Sequence, residues 1–255
     1  HTFSIACASS TVALGEAFRA IRDGYADRLL GAGAEAMLND GTIAGWKRLG
    51  VLASPHASGP EASSRPFDRE RSGFVLGEGA VVFVLESENA MEERGGEPLA
   101  EIVGFGASSD AHSITDPYVD GLESAMRRAL ADAELEPSAV GYVNAHATAT
   151  AKGDPVELEA IARIFGPGAP GLAVSSTKGV HGHLVGAAGA LEALLTVGAL
   201  RGRRVPPNTF LDDPDPDLGI DLVPKVGRDA DDLEFAMSNS FAFGGSNAVL
   251  VLRRV

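Results

Sequence analysis

Short apolar runs alternate along this chain with stretches whose apolar residues recur at helical spacing, and that alternation restricts the fold to the α/β class. The run Ala80-Val81-Val82-Phe83-Val84-Leu85 is continuous and rich in β-branched residues, the pattern of a strand buried on both faces. Further strands are expected over 28–34, 100–105, 140–144, 172–176, 235–240 and 248–252. Between them, Leu14, Phe18, Ile21 and Tyr25 form one stripe at steps of four, three and four, and Leu122, Met126, Leu130 and Ala133 form another. Leu158, Ile161 and Phe165 mark a third helix. In a fourth, over 186–200, Gly186-Ala187-Ala188-Gly189-Ala190 lets a backbone come close, and Leu191, Leu194 and Leu195 supply the apolar face. Shorter helices are expected over 42–48 and 87–94. Gly95-Gly96 ends the second and divides the chain into 1–96 and 97–255.

Composition narrows the function classes. A chain of 255 residues that is 45% hydrophobic can bury a real core. Its one cysteine excludes an internal disulfide and suits a reducing, cytoplasmic setting. A net charge of −14 argues against non-specific nucleic-acid binding. No apolar run reads as long enough to cross a bilayer, and no signal peptide is visible. The chain opens with His1 and its first strand is expected to end by Cys7, so it reads as the later part of a longer protein that needs an upstream segment, in cis or in trans.

Ser4-Ile5-Ala6-Cys7-Ala8-Ser9-Ser10 places that cysteine between an expected strand end and a helix start. Unpaired N–H groups and the helix dipole there favour a thiolate, by about 0.3–1 kcal/mol. A nucleophile needs more help than that, and by itself a lone cysteine is more often a buried structural one. His146 follows the strand over 140–144, at the carboxyl end where open α/β sheets bind ligands. Asp154, Pro155 and Glu157 read as N-cap, first position and capping box of the next helix. After the strand over 172–176 come Thr177-Lys178-Gly179-Val180-His181-Gly182-His183, with Glu192 nine positions beyond His183. By spacing alone, Glu192 is an exposed helical glutamate. His181 and His183 lack a second ligand cluster, so no metal is expected. Gly244-Gly245 offers a backbone N–H cradle between the last two strands. The segment 53–65 reads as a surface loop, 65–79 as a charged loop rich in glycine and ordered by ion pairs, and 205–217 as a crossing loop. One nucleophile, two imidazoles and an N–H cradle at strand ends suit thioester chemistry at carbon.

Several motifs resemble those of the β-ketoacyl-ACP synthases, in particular the elongating, FabF-like (KAS II) type. They are Ala6-Cys7-Ala8-Ser9-Ser10, Asn144-Ala145-His146 with Thr148 and Thr150, and Ser176-Thr177-Lys178 through Gly182-His183. To these add Gly186-Ala187-Ala188-Gly189 and Asn239-Ser240-Phe241 through Asn247. The resemblance implies a thiolase-like fold, layered α-β-α-β-α and here partial, lacking the upstream part of its N-terminal half. It implies a homodimer in the complete form and an acyl carrier protein as partner, whose pantetheine arm replaces any cofactor. Cys7 would take the acyl group, and His146 and His183 would hold the malonyl carbonyl. Lys178 and Glu192 match a supporting pair. The N–H groups of Cys7 and Phe243 match the oxyanion hole, and the Phe243 ring matches a gate. Asp154, Glu157 and Asn247 match supporting positions.

The chain departs from the family pattern at Ala147, Ala149, His181, Ala242 and Ser246, and Ala242 bears on the freedom of the gate. A polyketide ketosynthase shares every one of these catalytic residues. A Cys-His thioester hydrolase would need a carboxylate on one imidazole, and a non-catalytic chain-length partner would usually lack the cysteine.

Overall fold

The computed structural model describes residues 1–214 and 219–255; the crossing loop expected over 205–217 falls partly outside them. The strands are β1 (Arg28–Glu35), β2 (Gly79–Glu86), β3 (Glu101–Ser109), β4 (Val140–Asn144), β5 (Ala173–Ser175), β6 (Arg204–Val205), β7 (Asp221–Leu222), β8 (Arg228–Asp229), β9 (Phe235–Ala242) and β10 (Ser246–Arg253). The helices are α1 (Ser9–Arg22), α2 (Asp40–Leu49), α3 (Glu88–Glu93), α4 (Val119–Asp132), α5 (Gly153–Phe165), α6 (Lys178–His181) and α7 (Ala188–Gly202).

A six-stranded sheet in the order β3-β10-β9-β4-β5-β7 is the centre of the molecule. Its β3-β10-β9 part is antiparallel, and β9-β4-β5-β7 is parallel. Helices α4 and α5 cover one face, where Leu122, Met126, Ile161, Val143 and Val249 make the largest apolar cluster. Helices α1 and α7 lie on the other face and carry the antiparallel β1–β2 pair beyond them. Strands β6 and β8 form a separate short pair.

Small residues set the spacing of these layers. A Cβ on Gly33 would lie 2.6 Å from the Ser10 Cβ, and one on Gly189 would lie 2.9 Å from the Thr11 backbone nitrogen. Helices α1 and α7 therefore meet at backbone contact, as the small residues before Leu191 predict.

Several expectations are corrected. Strand β2 is not buried on both faces. Val81, Phe83 and Leu85 pack inward, while Val82 (62%) and Val84 (66%) are exposed beside Leu30 (70%), because the β1–β2 pair has no layer over its outer face among the described residues. Among the described residues, 1–5 do not form a strand before Cys7. Ala6–Ala8 is a 3₁₀ turn, and Ala6 has φ of 45°, which breaks any extended run. Helix α1 stops at Arg22, leaving Tyr25 83% exposed; Ser10, Thr11, Leu14, Gly15 and Ala17 form its buried face instead. In α7 the small Ala190 and Ala193 pack with Leu14 of α1, Val197 and Leu200 pack with Tyr142 and Val205, and Leu194 is exposed. Val185–Gly202 does have the length and apolar content to cross a membrane, but it is a core helix with 61% of it buried. The segment 53–65 dives inward at its end: Arg65 is 2% exposed and pairs with Asp68 at 2.9 Å.

Candidate active site

The 3₁₀ turn Ala6–Ala8 and the start of α1 put Cys7 in the protein interior, 5% exposed. Ala6 sits in the left-handed region, strained for a residue with a Cβ, and Ser9 braces it by donating to the Ala6 carbonyl and accepting from Ile5 N–H. The Cys7 sulfur lies 3.0 Å from Nε2 of His183. His146 stands edge-on to His183, with centroids 5.4 Å apart. The sulfur and one nitrogen of each ring lie within 4.8 Å of one another. That is also a distance at which three donors can share a soft cation, but the same convergence is what a thiol assisted by two imidazoles requires. The backbone N–H groups of Phe243 and of Cys7 itself favour negative charge on the sulfur. All of these groups border a cavity of about 430 Å³ that is also lined by Trp46, Phe74, Thr148 and Thr150.

Each reactive group is positioned by long-range contacts. Glu157 and Asp154 do not cap α5, whose N-cap is Lys152 without a side-chain bond. Instead both Glu157 oxygens reach across to the loop after β4, accepting from His146 N–H at 2.8 Å and Ala147 N–H at 2.7 Å, with Asn239 donating at 3.0 Å. Asp154 accepts from Phe67 N–H at 2.8 Å and Thr150 N–H at 3.2 Å. These backbone donors have no other way to be satisfied once buried, so the carboxylates hold the His146 loop more firmly than a helix cap would. His183 is held by the stretch that reads as a charged loop. Its N–H donates to Val75 at 2.7 Å, its carbonyl accepts from Gly77 at 3.0 Å, and Phe74 packs edge-on against its ring at 5.3 Å.

Asn247 donates to Ser108 and to Asp110 and so ties the Gly244-Gly245 turn to the end of β3. Both glycines have positive φ, 86° and 74°, as a cradle of this shape demands. Ala242 is the last residue of β9, paired with Ser246, and needs no positive φ, so a side chain fits there without strain. Ala149 does have positive φ, 63°, where the family pattern has glycine.

Lys178 and Glu192 are 1% and 0% exposed and form an ion pair just behind the two histidines. Glu192 is thus buried and paired, not the exposed glutamate that its spacing implies. Its carboxyl is pushed up to about 7 by burial, which the Lys178 charge opposes. Burial holds His146 and His183 well below the ordinary imidazole range, and the Lys178 charge adds to this, so both rings are neutral. Burial also pushes the Cys7 thiol up to about 12, against the pull of Lys178 and the Phe243 N–H. The expected thiolate is therefore corrected: desolvation outweighs the helix dipole, and the resting group is a thiol. It loses its proton only when an acceptor takes it, and His183 Nε2 is in place to do so. His181, with Nε2 3.0 Å from the Thr177 hydroxyl, lies outside this cluster and is lowered to about 4 by burial.

Sequence reasoning missed Trp46, Phe74 and Asp110 as parts of the site, although Phe74 lies in the Gly73-Phe74 segment whose glycine content stands out.

Residues 1–90 match the family model described as beta-ketoacyl synthase, N-terminal domain, and residues 99–212 match the one described as beta-ketoacyl synthase, C-terminal domain. The chain belongs to the beta-ketoacyl synthase family. It is 43% identical, over 99% of its own length, to 3-oxoacyl-[acyl-carrier-protein] synthase 2 of Vibrio cholerae serotype O1, of which it covers 61%. It is 45% identical to nodulation protein E of Rhizobium leguminosarum bv. trifolii, of which it covers 60%. The chain thus spans about three fifths of the curated relatives it matches. Among solved structures, a type II PKS acyl-carrier protein in complex with its ketosynthase superposes with a TM-score of 0.95 at 34% identity, covering 99% of this chain and 62% of that one. A beta-ketoacyl synthase from Burkholderia phymatum STM815 superposes at 0.92 with 41% identity, covering 99% of this chain and 60% of that one. The thiolase-like ketosynthase fold expected from the motifs is therefore the fold of this chain.

Proposed function

We propose that this chain carries the catalytic centre of a 3-oxoacyl-acyl-carrier-protein synthase, which joins a Cys7-bound acyl group to the two-carbon unit left when malonyl-ACP loses carbon dioxide. The observation that carries the reading is the buried meeting of Cys7 Sγ, two neutral imidazoles and the Phe243 N–H in one cavity. In the first half-reaction Sγ attacks the acyl thioester as His183 takes its proton. The N–H groups of Cys7 and Phe243 receive the tetrahedral oxyanion, and the carrier's thiolate leaves and takes the proton from His183, which returns to the neutral ring. In the second, ring N–H groups of His146 and His183 hold the malonyl thioester oxygen. Carbon dioxide departs, and the resulting enolate carbon attacks the acyl carbonyl. The C–S bond to Cys7 breaks, and the released thiolate takes a proton from solvent.

Neutral rings suit this role, because each can then donate an N–H without carrying a charge that the pocket cannot solvate. Burial keeps them neutral, and the Lys178 charge adds to this. Glu157, Asp154 and Asn247 act as positioning groups through the His146 loop and the Phe243 turn. A Cys-His hydrolase is disfavoured by the surroundings of the rings: among the described residues no carboxylate bonds to either imidazole, and Nδ1 of each has no partner.

The partner in this reading is an acyl carrier protein, whose pantetheine arm delivers both substrates, with no metal or nucleotide needed. A homodimer in the cytoplasm, with the halves dividing at Gly95-Gly96, completes the proposal. The bare outer face of β1–β2, with Leu30, Val82 and Val84, supports the need for an upstream segment lying over it. Mass spectrometry after incubation with acyl-ACP tests the core of the reading. An acyl group on Cys7 is expected, absent in Cys7→Ala; acylation of the Cys7→Ala protein would sink it.

A further inference from the structure

The sulfur of Cys7 and one nitrogen each of His146 and His183 converge within 4.8 Å of one another. Among the described residues no other group of three His, Cys, Asp or Glu side chains brings its ligand atoms so close. Acyl transfer uses these atoms as nucleophile and hydrogen-bond donors. They are also one thiol sulfur and two imidazole nitrogens, a donor set that suits zinc-group cations and not magnesium or calcium.

Bonds of about 2.3 Å to sulfur and about 2.0–2.1 Å to nitrogen, at tetrahedral angles, set sulfur about 3.6 Å from each nitrogen and the nitrogens about 3.4 Å apart. The Cys7 sulfur stands 3.0 Å from His183 Nε2, and the other separations do not exceed 4.8 Å. Side-chain shifts of about 1 Å therefore complete three bonds. All three residues border the cavity of about 430 Å³, which leaves room for a water as fourth ligand. Both rings are neutral, and Nδ1 of each has no partner that would fix where the ring proton sits. Each ring can then keep its proton on one nitrogen and give the lone pair of the other.

Two features limit the grip. Imidazoles that hold a resident metal donate their second nitrogen to a carboxylate, a carbonyl or a water, and neither Nδ1 has such a partner here. The Lys178 charge also opposes a cation, although Glu192 offsets it. The arrangement suits a cation that comes and goes, not one built into the fold.

We propose that Cys7, His146 and His183 form a reversible inhibitory site for a soft divalent cation of the zinc group. One metal–sulfur and two metal–nitrogen bonds form, and the Cys7 S–H proton passes to solvent. The bound cation occupies the sulfur that attacks and the rings that assist it, so metal and acyl group exclude each other. Metal binding itself does not depend on the acyl-transfer reading; only its effect on turnover does.

The test uses the full-length protein with Cd²⁺ as the probe, because a cadmium–thiolate bond absorbs in the ultraviolet. In the wild type a band that saturates with one equivalent is expected, and Cys7→Ala should lack it. His146→Ala and His183→Ala should each raise the Kd by about ten-fold or more, since losing even a partner behind a ligand costs that much. A second measurement needs no variant: alkylation of Cys7 by iodoacetamide, read by peptide mass. With Zn²⁺ at about ten times its Kd the rate should fall about eleven-fold, the factor 1 + [Zn²⁺]/Kd, and recover with EDTA. A band unchanged in Cys7→Ala, a Kd unmoved by both histidine variants, or an alkylation rate indifferent to Zn²⁺ overturns the inference. Acylation of Cys7 by acyl-ACP in metal-free buffer is read separately. If it fails while cadmium binds as expected, the proposed function falls and this inference stands.

Discussion

Replacing Lys178 by methionine keeps the length of the side chain and removes its charge, leaving Glu192 buried without a partner. Breaking a buried pair from one side costs about 3–5 kcal/mol, whereas replacing both members by apolar groups is often close to neutral. The double variant Lys178→Met/Glu192→Leu should then recover most of the loss, giving a coupling energy above about 2 kcal/mol. The sign of the pH dependence follows from Glu192. Its folded pKa is already raised by burial to about 7 from 4.5, and losing Lys178 raises it further. An acid whose folded pKa is raised costs nothing below its unfolded pKa, and its penalty grows as pH climbs toward the folded value. The Lys178→Met protein should therefore lie near wild type at pH 4.5 and up to about pH 7, and fall short by about 4 kcal/mol only at about pH 10, three units above the wild-type folded value. Urea unfolding of the four proteins at these pH values checks this. A coupling energy under about 1 kcal/mol at the highest of them, or a deficit independent of pH, would refute the view that the two charges balance each other inside the core.

Gly189→Ala puts a Cβ 1.9 Å from the Thr11 hydroxyl oxygen and 2.9 Å from its backbone nitrogen, and so should destabilise the fold by about 1–3 kcal/mol in urea melts; a neutral result would mean that α1 and α7 are not in backbone contact. His181 has a folded pKa of about 4 against 6.5 for a free imidazole, so its contribution to stability is lost as pH falls from about 6.5 to 4. Against His181→Gln, the wild type should lose up to about 3 kcal/mol over that range, and parallel stability–pH curves for the two proteins would count against a buried neutral ring.

The α/β class and the strands at 140–144 and 173–175 were legible in the sequence, because each strand is announced by a short apolar run, while Cys7, His146 and His183 were singled out by their resemblance to family motifs. The approach of α7 to α1 was legible too, since Gly186 to Ala190 has no side chain large enough to keep another backbone away. What local spacing cannot carry is which partner lies across the fold. Asp154, Pro155 and Glu157 satisfy the pattern of a helix cap, yet the carboxylates are taken by Phe67, Thr150, His146 and Ala147, whose buried N–H groups bind them more strongly than the helix end does. The run 80–85 reads as buried on both faces because apolar content records a tendency, while burial needs a second layer, and among the described residues β2 has a layer on one face only. The state of Cys7 was misjudged likewise. The dipole of a neighbouring helix is a local effect of less than one pKa unit, whereas the desolvation that makes the group a thiol comes from the whole surrounding core. The three aromatic rings of Trp46, Phe74 and Phe243 come from distant stretches of chain, and only packing of the tertiary structure brings them together.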